Sequence, residues 1–228
     1  TGYGTVYFAE EMLKHIGRSL DGLRVSVSGS GNVAQYSVEK AMMLGAKVVT
    51  VSDSSGTVVD EDGFTMEKLA ILKDVKNNLR GRVSDYAEKI KAKFISNVRP
   101  WNVPVDVALP CATQNELDEE DATNLIKNGV FCVAEGANMP STAGAVKLFD
   151  KGGVLFAPGK ASNAGGVATS GLEMSQNAMR LSWSSDEVDA RLLEIMKAIH
   201  GSCIQYGKRK DRSINYVDGA NIAGFVKV

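Results

Sequence analysis

A glycine-rich turn near the start of the chain joins a short apolar run to a helical pattern. The turn reads Gly29-Ser30-Gly31-Asn32-Val33-Ala34, the apolar run is Leu23 to Ser28, and the helical pattern continues to about Leu44. Gly29 permits the backbone angles of a tight turn, and Gly31 has no side chain that would keep a phosphate away from the main chain. A helix that begins here directs free N–H groups at an anion. The segment predicts the strand, turn and helix that hold a pyrophosphate in a dinucleotide-binding fold, with Gly29, Ser30, Gly31, Asn32 and Val33 as candidate contacts.

The next apolar run strengthens this prediction. It extends from Lys47 to Ser52 and is followed by Asp53, where the dinucleotide fingerprint expects a residue facing the adenosine ribose. The glycine string alone is a weak signal, because such turns are common and its third position is Ala34. The combined pattern favours nucleotide binding over a purely structural turn.

Length and charge restrict the class of protein. The chain has 228 residues, 44% of them hydrophobic, and a net charge of −1, which suits one substantial core and is too short for two ordinary domains. We therefore predict a single domain over residues 1–228. The near-neutral charge argues against nucleic-acid binding. No apolar stretch is long enough to span a bilayer and no signal peptide is evident, so we expect a cytoplasmic protein with no membrane partner.

The cysteines and histidines give no metal signal. The three cysteines and two histidines stand at spacings that match no zinc or redox motif. We expect a reduced compartment and no metal site.

Short β-rich runs alternate with longer helical patterns along the chain. The strand candidates are Val25–Ser28, Lys47–Ser52, Val105–Leu109, Val130–Ala134 and Val154–Ala157. This order predicts an α/β fold, a Rossmann-like doubly wound and mostly parallel sheet with helices on both faces. Residues 54–63 are interpreted as a small turn or hairpin excursion, and residues 66–92 as two charged helical pieces around Gly81.

Polar or glycine-rich segments follow four of these strands, at residues 29–32, 110–115, 135–138 and 158–163. The carboxyl ends of parallel strands meet at one edge of a sheet, where ligands bind. Each segment alone is ordinary turn chemistry, but four in register predict one cleft. Ala112, Thr113 and Asn138 are candidate cofactor contacts there.

A further segment, Asn163 to Asn177, reads as a helix with Asn163, Val167 and Ser170 on one face. Gly165 and Gly166 lower helix propensity, which suggests close approach by another group. That group is either a small substrate beside a nicotinamide or a second helix. Two methionines of this region, Met174 and Met179, are interpreted as core residues.

Together these segments resemble the cofactor-binding domain of the Glu/Leu/Phe/Val dehydrogenase family, and most of all its small hexameric glutamate dehydrogenases of bacteria. The resemblance covers nearly the whole chain. It is carried by Thr1-Gly2-Tyr3-Gly4, Ser28–Ala34, Ser52–Gly56, Ala108–Leu117, Ala134–Pro140, Ala157–Met174 and Asn215–Val228.

The resemblance implies reversible oxidative deamination of L-glutamate to 2-oxoglutarate and ammonia, with a hydride passing to or from a nicotinamide. It implies that Thr1 contacts the nicotinamide carboxamide, Asn32 the cofactor near its pyrophosphate, and Asn138 the nicotinamide ribose. It places the substrate beside a group of small and polar residues, Asn163, Gly166, Val167 and Ser170. Ser170 would bind the side-chain carboxylate, since a hydroxyl and a helix N-terminus both favour an anion.

The family's catalytic lysine and its aspartate partner belong to an N-terminal substrate domain that nothing in this sequence resembles. The chain also begins without Met and enters a helical pattern, Val6 to Ile16, almost at once. We therefore expect an excised domain with no catalytic residue of its own, which binds cofactor without turnover and belongs to a homohexameric enzyme.

The sequence contains features that favour NAD and others that favour NADP. Asp53 alone favours NAD, because a carboxylate accepts from a 2′-hydroxyl and repels a 2′-phosphate. Ser54 follows it, however, and Lys76, Arg80 and Arg82 lie in a region that can fold over the adenosine end and bind a phosphate dianion. We predict NADP, with NAD as the alternative.

Two other functions stay open at this point. The chain can be a nucleotide-sensing module that has lost its partner domain, or a dehydrogenase for an apolar amino acid. Ser170 argues against the second, because a buried hydroxyl without a partner disfavours an apolar substrate.

Overall fold

The computed structural model describes residues 1–228, which form one seven-stranded sheet in the order β4-β3-β2-β1-β5-β6-β7. Five strands are parallel and two, β3 and β4, are antiparallel to their neighbours. The strands are β1 (Arg24–Val27), β2 (Lys47–Asp53), β3 (Gly56–Val59), β4 (Lys93–Ser96), β5 (Val107–Leu109), β6 (Cys132–Ala134) and β7 (Leu155–Ala157). The five parallel strands are the five that the sequence predicts.

Ten α-helices connect and cover the strands. They are α1 (Gly2–His15), α2 (Asn32–Met43), α3 (Met66–Lys73), α4 (Val83–Ile90), α5 (Glu119–Lys127), α6 (Ala143–Lys151), α7 (Gly159–Ser162), α8 (Gly165–Met179), α9 (Ser185–Gly207) and α10 (Tyr216–Val226). A π-helical turn, Asp74–Asn78, continues α3, and a 3₁₀ turn spans Pro100–Asn102. No helix combines the length and the hydropathy needed to cross a membrane.

Helices cover both faces of the sheet. Side chains of successive strand residues point to opposite faces, so Val107 and Leu109 join the core beneath α1 and α2, while Ala108 joins a second core with Phe149 of α6. The two cores lie on opposite sides of one sheet. This confirms the predicted doubly wound α/β arrangement.

The antiparallel part of the sheet follows the predicted hairpin. β2 turns at Ser54-Ser55 into β3, and Asp53 pairs with Gly56 across the turn. β4 is not predicted from the sequence; it is a four-residue strand at the edge of the sheet, and none of its residues is fully buried. Such a strand lacks the apolar alternation that makes strands recognisable.

The charged region before β4 is helical in two pieces, as predicted. α3 and its π-helical turn end at Asn78, and α4 begins at Val83. Gly81 lies in the break, where its N–H donates to the carbonyl oxygen of Val75 at 2.9 Å. This bend carries the basic residues of the region back toward the end of β2.

One expectation for the core is wrong. Met174 and Met179 of α8 are 72% and 52% exposed. Helical spacing places residues on a common face, but it does not determine whether another element of the chain covers that face.

Candidate functional site

The glycine turn between β1 and α2 adopts a conformation that suits an anion. Gly29 has φ of +85°, and a Cβ at this position would lie 2.9 Å from the carbonyl oxygen of Cys111. Gly31 is the N-cap of α2, and a Cβ there would meet no atom within 4 Å. Space is therefore open in front of the first turn of α2, whose N–H groups have no helical partner.

The turn is held by polar contacts from α2. The side-chain amide of Gln35 donates to the carbonyl oxygen of Ser30 at 2.8 Å. Ser30 is 5% exposed as a whole residue and is thus largely covered by the fold.

A first cavity of about 690 Å³ opens beside this turn at the carboxyl edge of the parallel strands. Nine of the predicted site residues line it, drawn from the residue before α1, the first turn of α2, the β5–α5 and β6–α6 loops, the end of α7 and α8. Its full lining is Thr1, Val33, Cys111, Ala112, Thr113, Gln114, Gly136, Ala137, Asn138, Asn163, Gly166, Val167 and Ser170. The fold therefore brings the predicted nicotinamide and substrate residues to one place.

A second cavity of about 540 Å³ lies at the ends of β2 and β5. It is lined by Ser52, Asp53, Ser54, Gly56, Asn97, Val98, Arg99, Ala112, Thr113, Gln114, Asn115 and Glu116. The two cavities share three lining residues, Ala112, Thr113 and Gln114. Together they form a continuous cleft that passes the glycine turn, since Ala112 faces Gly29.

Some predicted residues do not line either cavity. Gly29, Ser30 and Gly31 lie in the turn beside them. Asn32 lines a separate, mostly apolar groove of about 530 Å³ between α1, α2 and α9. Lys76 and Arg82 do not line the second cavity themselves. Lys76 is hydrogen-bonded to Asp53 and Arg82 to Ser54, and these two partners line it.

The carboxylate of Asp53 is occupied by donors of the protein. Its Oδ1 accepts from the N–H and hydroxyl of Ser55 at 2.8 and 2.6 Å, and its Oδ2 accepts from Val83 N–H at 3.0 Å and from Lys76 Nζ at 3.2 Å. Burial opposes the charge, but these hydrogen bonds prevail and lower the pKa of Asp53 below its usual value. Both oxygens thus accept from donors of the protein, and the negative charge is paired with Lys76.

Lys76 and Arg82 differ in how many of their donor groups the protein already uses. Lys76 Nζ also donates to the carbonyl oxygen of Gly81 at 2.9 Å, which leaves one of its three protons available. The exposed Arg82 guanidinium donates through Nη1 to Ser54 Oγ at 2.8 Å and makes no ion pair. Ser54 therefore holds an unpaired cation at the edge of the second cavity.

Two buried glutamates brace the loops of the cleft. Glu116 is 5% exposed, and its Oε1 accepts from Ser28 Oγ at 2.8 Å and from the N–H groups of Ala112 at 3.0 Å and Thr113 at 3.3 Å. Burial raises the pKa of Glu116, and these hydrogen bonds offset part of that shift. The carboxylate fixes the backbone segment that the two cavities share.

Glu135, at the end of β6, is 4% exposed and has a similar role. Its Oε2 accepts from Gly159 N–H at 2.7 Å, its Oε1 from Ser141 N–H at 3.2 Å, and its carbonyl oxygen from Ser162 Oγ at 2.7 Å. Burial raises its pKa. The loops after β6 and β7 are thereby held in a fixed relation.

The start of α8 corrects the interpretation of its glycines. A Cβ on Gly165 would lie 2.9 Å from the Cα of Gly4, and a Cβ on Gly166 would overlap Thr1 Oγ1. The group that approaches both glycines within the fold is α1 with the residue before it. Helix packing, the simpler alternative, explains both positions, although Gly166 also lines the first cavity.

Ser170 is also placed differently from the expectation. It is the sixth residue of α8, where backbone N–H groups are already used within the helix. Only its hydroxyl, which faces the first cavity with Val167, is available to a ligand. Asn163 borders the same space, and its amide donates to Asn138 Oδ1 at 2.8 Å, which joins the two loops.

Sequence reasoning missed several residues of the cleft. Asn97, Val98 and Arg99 line the second cavity because β4, which was not predicted, ends just before them. Glu116 and Glu135 were overlooked as charged residues of ordinary loops. For Glu135 the sequence does contain a signal, because this glutamate directly follows a buried strand and precedes Gly136.

The chain is similar to known proteins over its whole length. The sequence model described as glutamate/leucine/phenylalanine/valine dehydrogenase matches residues 1–228. An NADP-specific glutamate dehydrogenase of Escherichia coli (strain K12) is 63% identical over 228 residues, 100% of this chain and 51% of that protein. An NAD(P)-specific glutamate dehydrogenase of Xylanibacter ruminicola is 59% identical with the same coverage.

Solved structures agree in fold. Glutamate dehydrogenase 2 of Plasmodium falciparum superposes with a TM-score of 0.96 at 50% identity, over 100% of this chain and 50% of that one. The chain spans about half the length of the curated relatives it matches. With its entire length matched and identities well above half, the chain belongs to the glutamate/leucine/phenylalanine/valine dehydrogenase family.

Proposed function

We propose that residues 1–228 are the dinucleotide-binding domain of an NADP-dependent glutamate dehydrogenase. The observation that carries this proposal is the continuous cleft at the carboxyl edge of the parallel strands, whose two cavities meet at Ala112–Gln114 beside the glycine turn. The close relatives described as NADP-specific support it.

The charges around the second cavity favour NADP over NAD. An unpaired Asp53 carboxylate would repel a 2′-phosphate, but its charge is paired with Lys76 and its oxygens accept from Ser55 and Val83. The free cation at the rim is Arg82, positioned by Ser54. A guanidinium binds a phosphate dianion with charge-assisted hydrogen bonds, so the adenosine 2′-phosphate would lie against Ser54 and Arg82.

The first cavity suits the nicotinamide and the reacting end of the substrate. The bound cofactor would supply the hydride acceptor. Thr1 and Asn138 offer polar groups to the nicotinamide half, and Asn163, Gly166 and Val167 border the remaining space. Ser170 offers one hydroxyl to a substrate carboxylate, which favours L-glutamate and 2-oxoglutarate over apolar amino acids.

The same proposal includes the rest of the enzyme. The proton-transfer groups would come from a region outside these residues, and the enzyme would assemble as a homohexamer. Light scattering of a protein of the relatives' full length would measure the assembly directly.

The substrate assignment is tested by steady-state kinetics on that full-length protein. NADPH oxidation should be fast with 2-oxoglutarate and ammonium, and at least about a hundredfold slower in kcat/KM with 4-methyl-2-oxopentanoate. The second 2-oxo acid is the matched control, because it differs in the side chain that Ser170 would contact. A preference for the apolar acid would refute the glutamate assignment while leaving the cofactor assignment intact.

A further inference from the structure

The carboxylate of Glu116 has one oxygen that the protein does not use. Three donors, from Ser28, Ala112 and Thr113, converge on Oε1. Oε2 accepts no hydrogen bond from the protein, and it is not one of the fully buried polar atoms that lack a partner, so it is open to the cavity. Glu116 as a whole residue is 5% exposed and lines the second cavity. A ligand that displaces water from Oε2 loses affinity unless it brings a donor of its own.

The chemistry of the nucleotide limits which donor this is. Phosphate groups are anions and would be repelled by Glu116. In this fold the adenosine ribose lies at the end of β2, the side of the cavity that carries Asp53 and Ser54. β1 separates β2 from β5 in the sheet order, so Glu116, on the β5–α5 loop, stands across the cavity from the ribose. The base is the part of the nucleotide that extends to this wall.

We propose that Glu116 reads the base of the cofactor by accepting a hydrogen bond from the exocyclic amino group of adenine through Oε2. The inference rests on the proposed function, since it requires the adenosine half in the second cavity. It makes Glu116 a specificity-determining residue for adenine against bases with a carbonyl at the same ring position. Such a base would place an acceptor against the acceptor Oε2 and exclude water from between them, which leaves both unpaired.

The same geometry predicts what an amide would do at this position. In Glu116→Gln, the amide oxygen must replace Oε1, because all three groups that converge there are donors. The amide NH₂ group is then forced toward the cavity as a donor. The variant should therefore lose its preference for the amino group of adenine and accept a carbonyl in its place.

The test compares NADPH with deamino-NADPH, in which a ring carbonyl replaces the amino group of adenine. Both can be titrated into the chain by following the fluorescence of the reduced nicotinamide. The unmodified chain should bind NADPH about tenfold or more tightly than deamino-NADPH, the ratio expected for one hydrogen bond to a charged acceptor. Glu116→Gln should bring this ratio to one or below.

The control is Glu120→Gln, which neutralises an exposed carboxylate on the same α5 region and should leave the ratio unchanged. Equal affinity of the unmodified chain for both nucleotides would overturn the inference and needs no variant. An unchanged ratio in Glu116→Gln would overturn it equally. If the chain binds NADPH and deamino-NADPH equally tightly, the role of Glu116 is refuted and the proposed function is not. If it binds neither nucleotide, the proposed function fails and this inference fails with it.

Discussion

Lys76 Nζ lies 3.2 Å from Oδ2 of Asp53, and both side chains are largely buried, with 18% and 10% of their surfaces exposed. The carboxylate that a sequence fingerprint assigns to the ribose of NAD is thus the partner of a lysine from the next helical segment. The pair, together with Val83 N–H, attaches the α3–α4 bend to the end of β2. One interaction therefore both stabilises this corner and balances the negative charge at the wall of the cavity.

Loss of the lysine should expose that charge to the cofactor. In Lys76→Met the Asp53 carboxylate loses its cation, so NADPH affinity should fall about tenfold or more while NADH affinity changes little. Fluorescence titration with both nucleotides measures this. A parallel loss for the two nucleotides would show that Lys76 acts on the fold of the corner and not on the 2′-phosphate.

The stability contribution of Asp53 should depend on pH. Burial opposes ionisation, but hydrogen bonds from Ser55, Val83 and Lys76 outweigh it and lower the pKa of Asp53 below its usual value, so folding favours the charged form. The stabilisation is then fully present at pH 7 and disappears as the pH falls through the lowered pKa. Asp53→Asn should reduce the free energy of unfolding by about 1–3 kcal/mol at pH 7 and by less at pH 3. Urea unfolding at both pH values decides this, and an equal cost at both would contradict it.

Arg82 should discriminate between the two nucleotides more cleanly than Lys76. Its guanidinium is exposed and bonded only to Ser54, so Arg82→Ala should leave stability nearly unchanged. NADPH affinity should fall about tenfold and NADH affinity should not. Lys89→Ala, an exposed cation on α4, is the control for general electrostatic attraction and should leave the affinity ratio unchanged.

The glycines of α8 provide a matched pair for packing. Gly165→Ala would place a Cβ 2.9 Å from the Cα of Gly4 and should destabilise the chain by about 1–3 kcal/mol. Gly171→Ala lies on the same helix with no atom within 4 Å of the new Cβ and should stabilise it by about 0.5–1 kcal/mol. Thermal unfolding of the two variants compares them. Similar effects of the same sign would refute the close approach of α1 and α8.

Ser170 should determine the substrate. In the full-length enzyme, Ser170→Val removes the only hydroxyl of α8 that lines the first cavity, so kcat/KM for glutamate should fall about a hundredfold or more. Ser175→Ala, on the same helix, removes an exposed hydroxyl bonded to the carbonyl oxygen of Gly171 and should leave kcat/KM unchanged. Retained glutamate activity in Ser170→Val would favour a dehydrogenase for apolar amino acids.

Sequence reasoning located the parallel strands and the cleft because both follow from local patterns. Buried strands are continuous apolar runs, and the glycine turn after β1 has few other uses when a helix follows it. The parallel order then brings distant loops, such as those of Thr113 and Asn138, to one edge without further information.

The features that were not predicted depend on contacts between segments that are distant in the sequence. β4 is stabilised by pairing with β3, and nothing in Lys93–Ser96 itself marks a strand. The pairing of Asp53 with Lys76 depends on a bend that periodicity does not reveal, and the glycines of α8 are explained by a helix more than 150 residues earlier in the chain. Covered and uncovered helix faces have the same spacing, which is why Met174 was misplaced.

A paired titration of the chain with NADPH and NADH, following the fluorescence of the reduced nicotinamide at one fixed salt concentration, tests whether this cleft holds a dinucleotide. We expect saturable binding of both nucleotides, with NADPH bound about tenfold or more tightly because of Ser54 and Arg82. Tighter binding of NADH would refute the assignment of the second cavity to a 2′-phosphate. Absence of binding by either nucleotide would refute the assignment of the cleft to a dinucleotide.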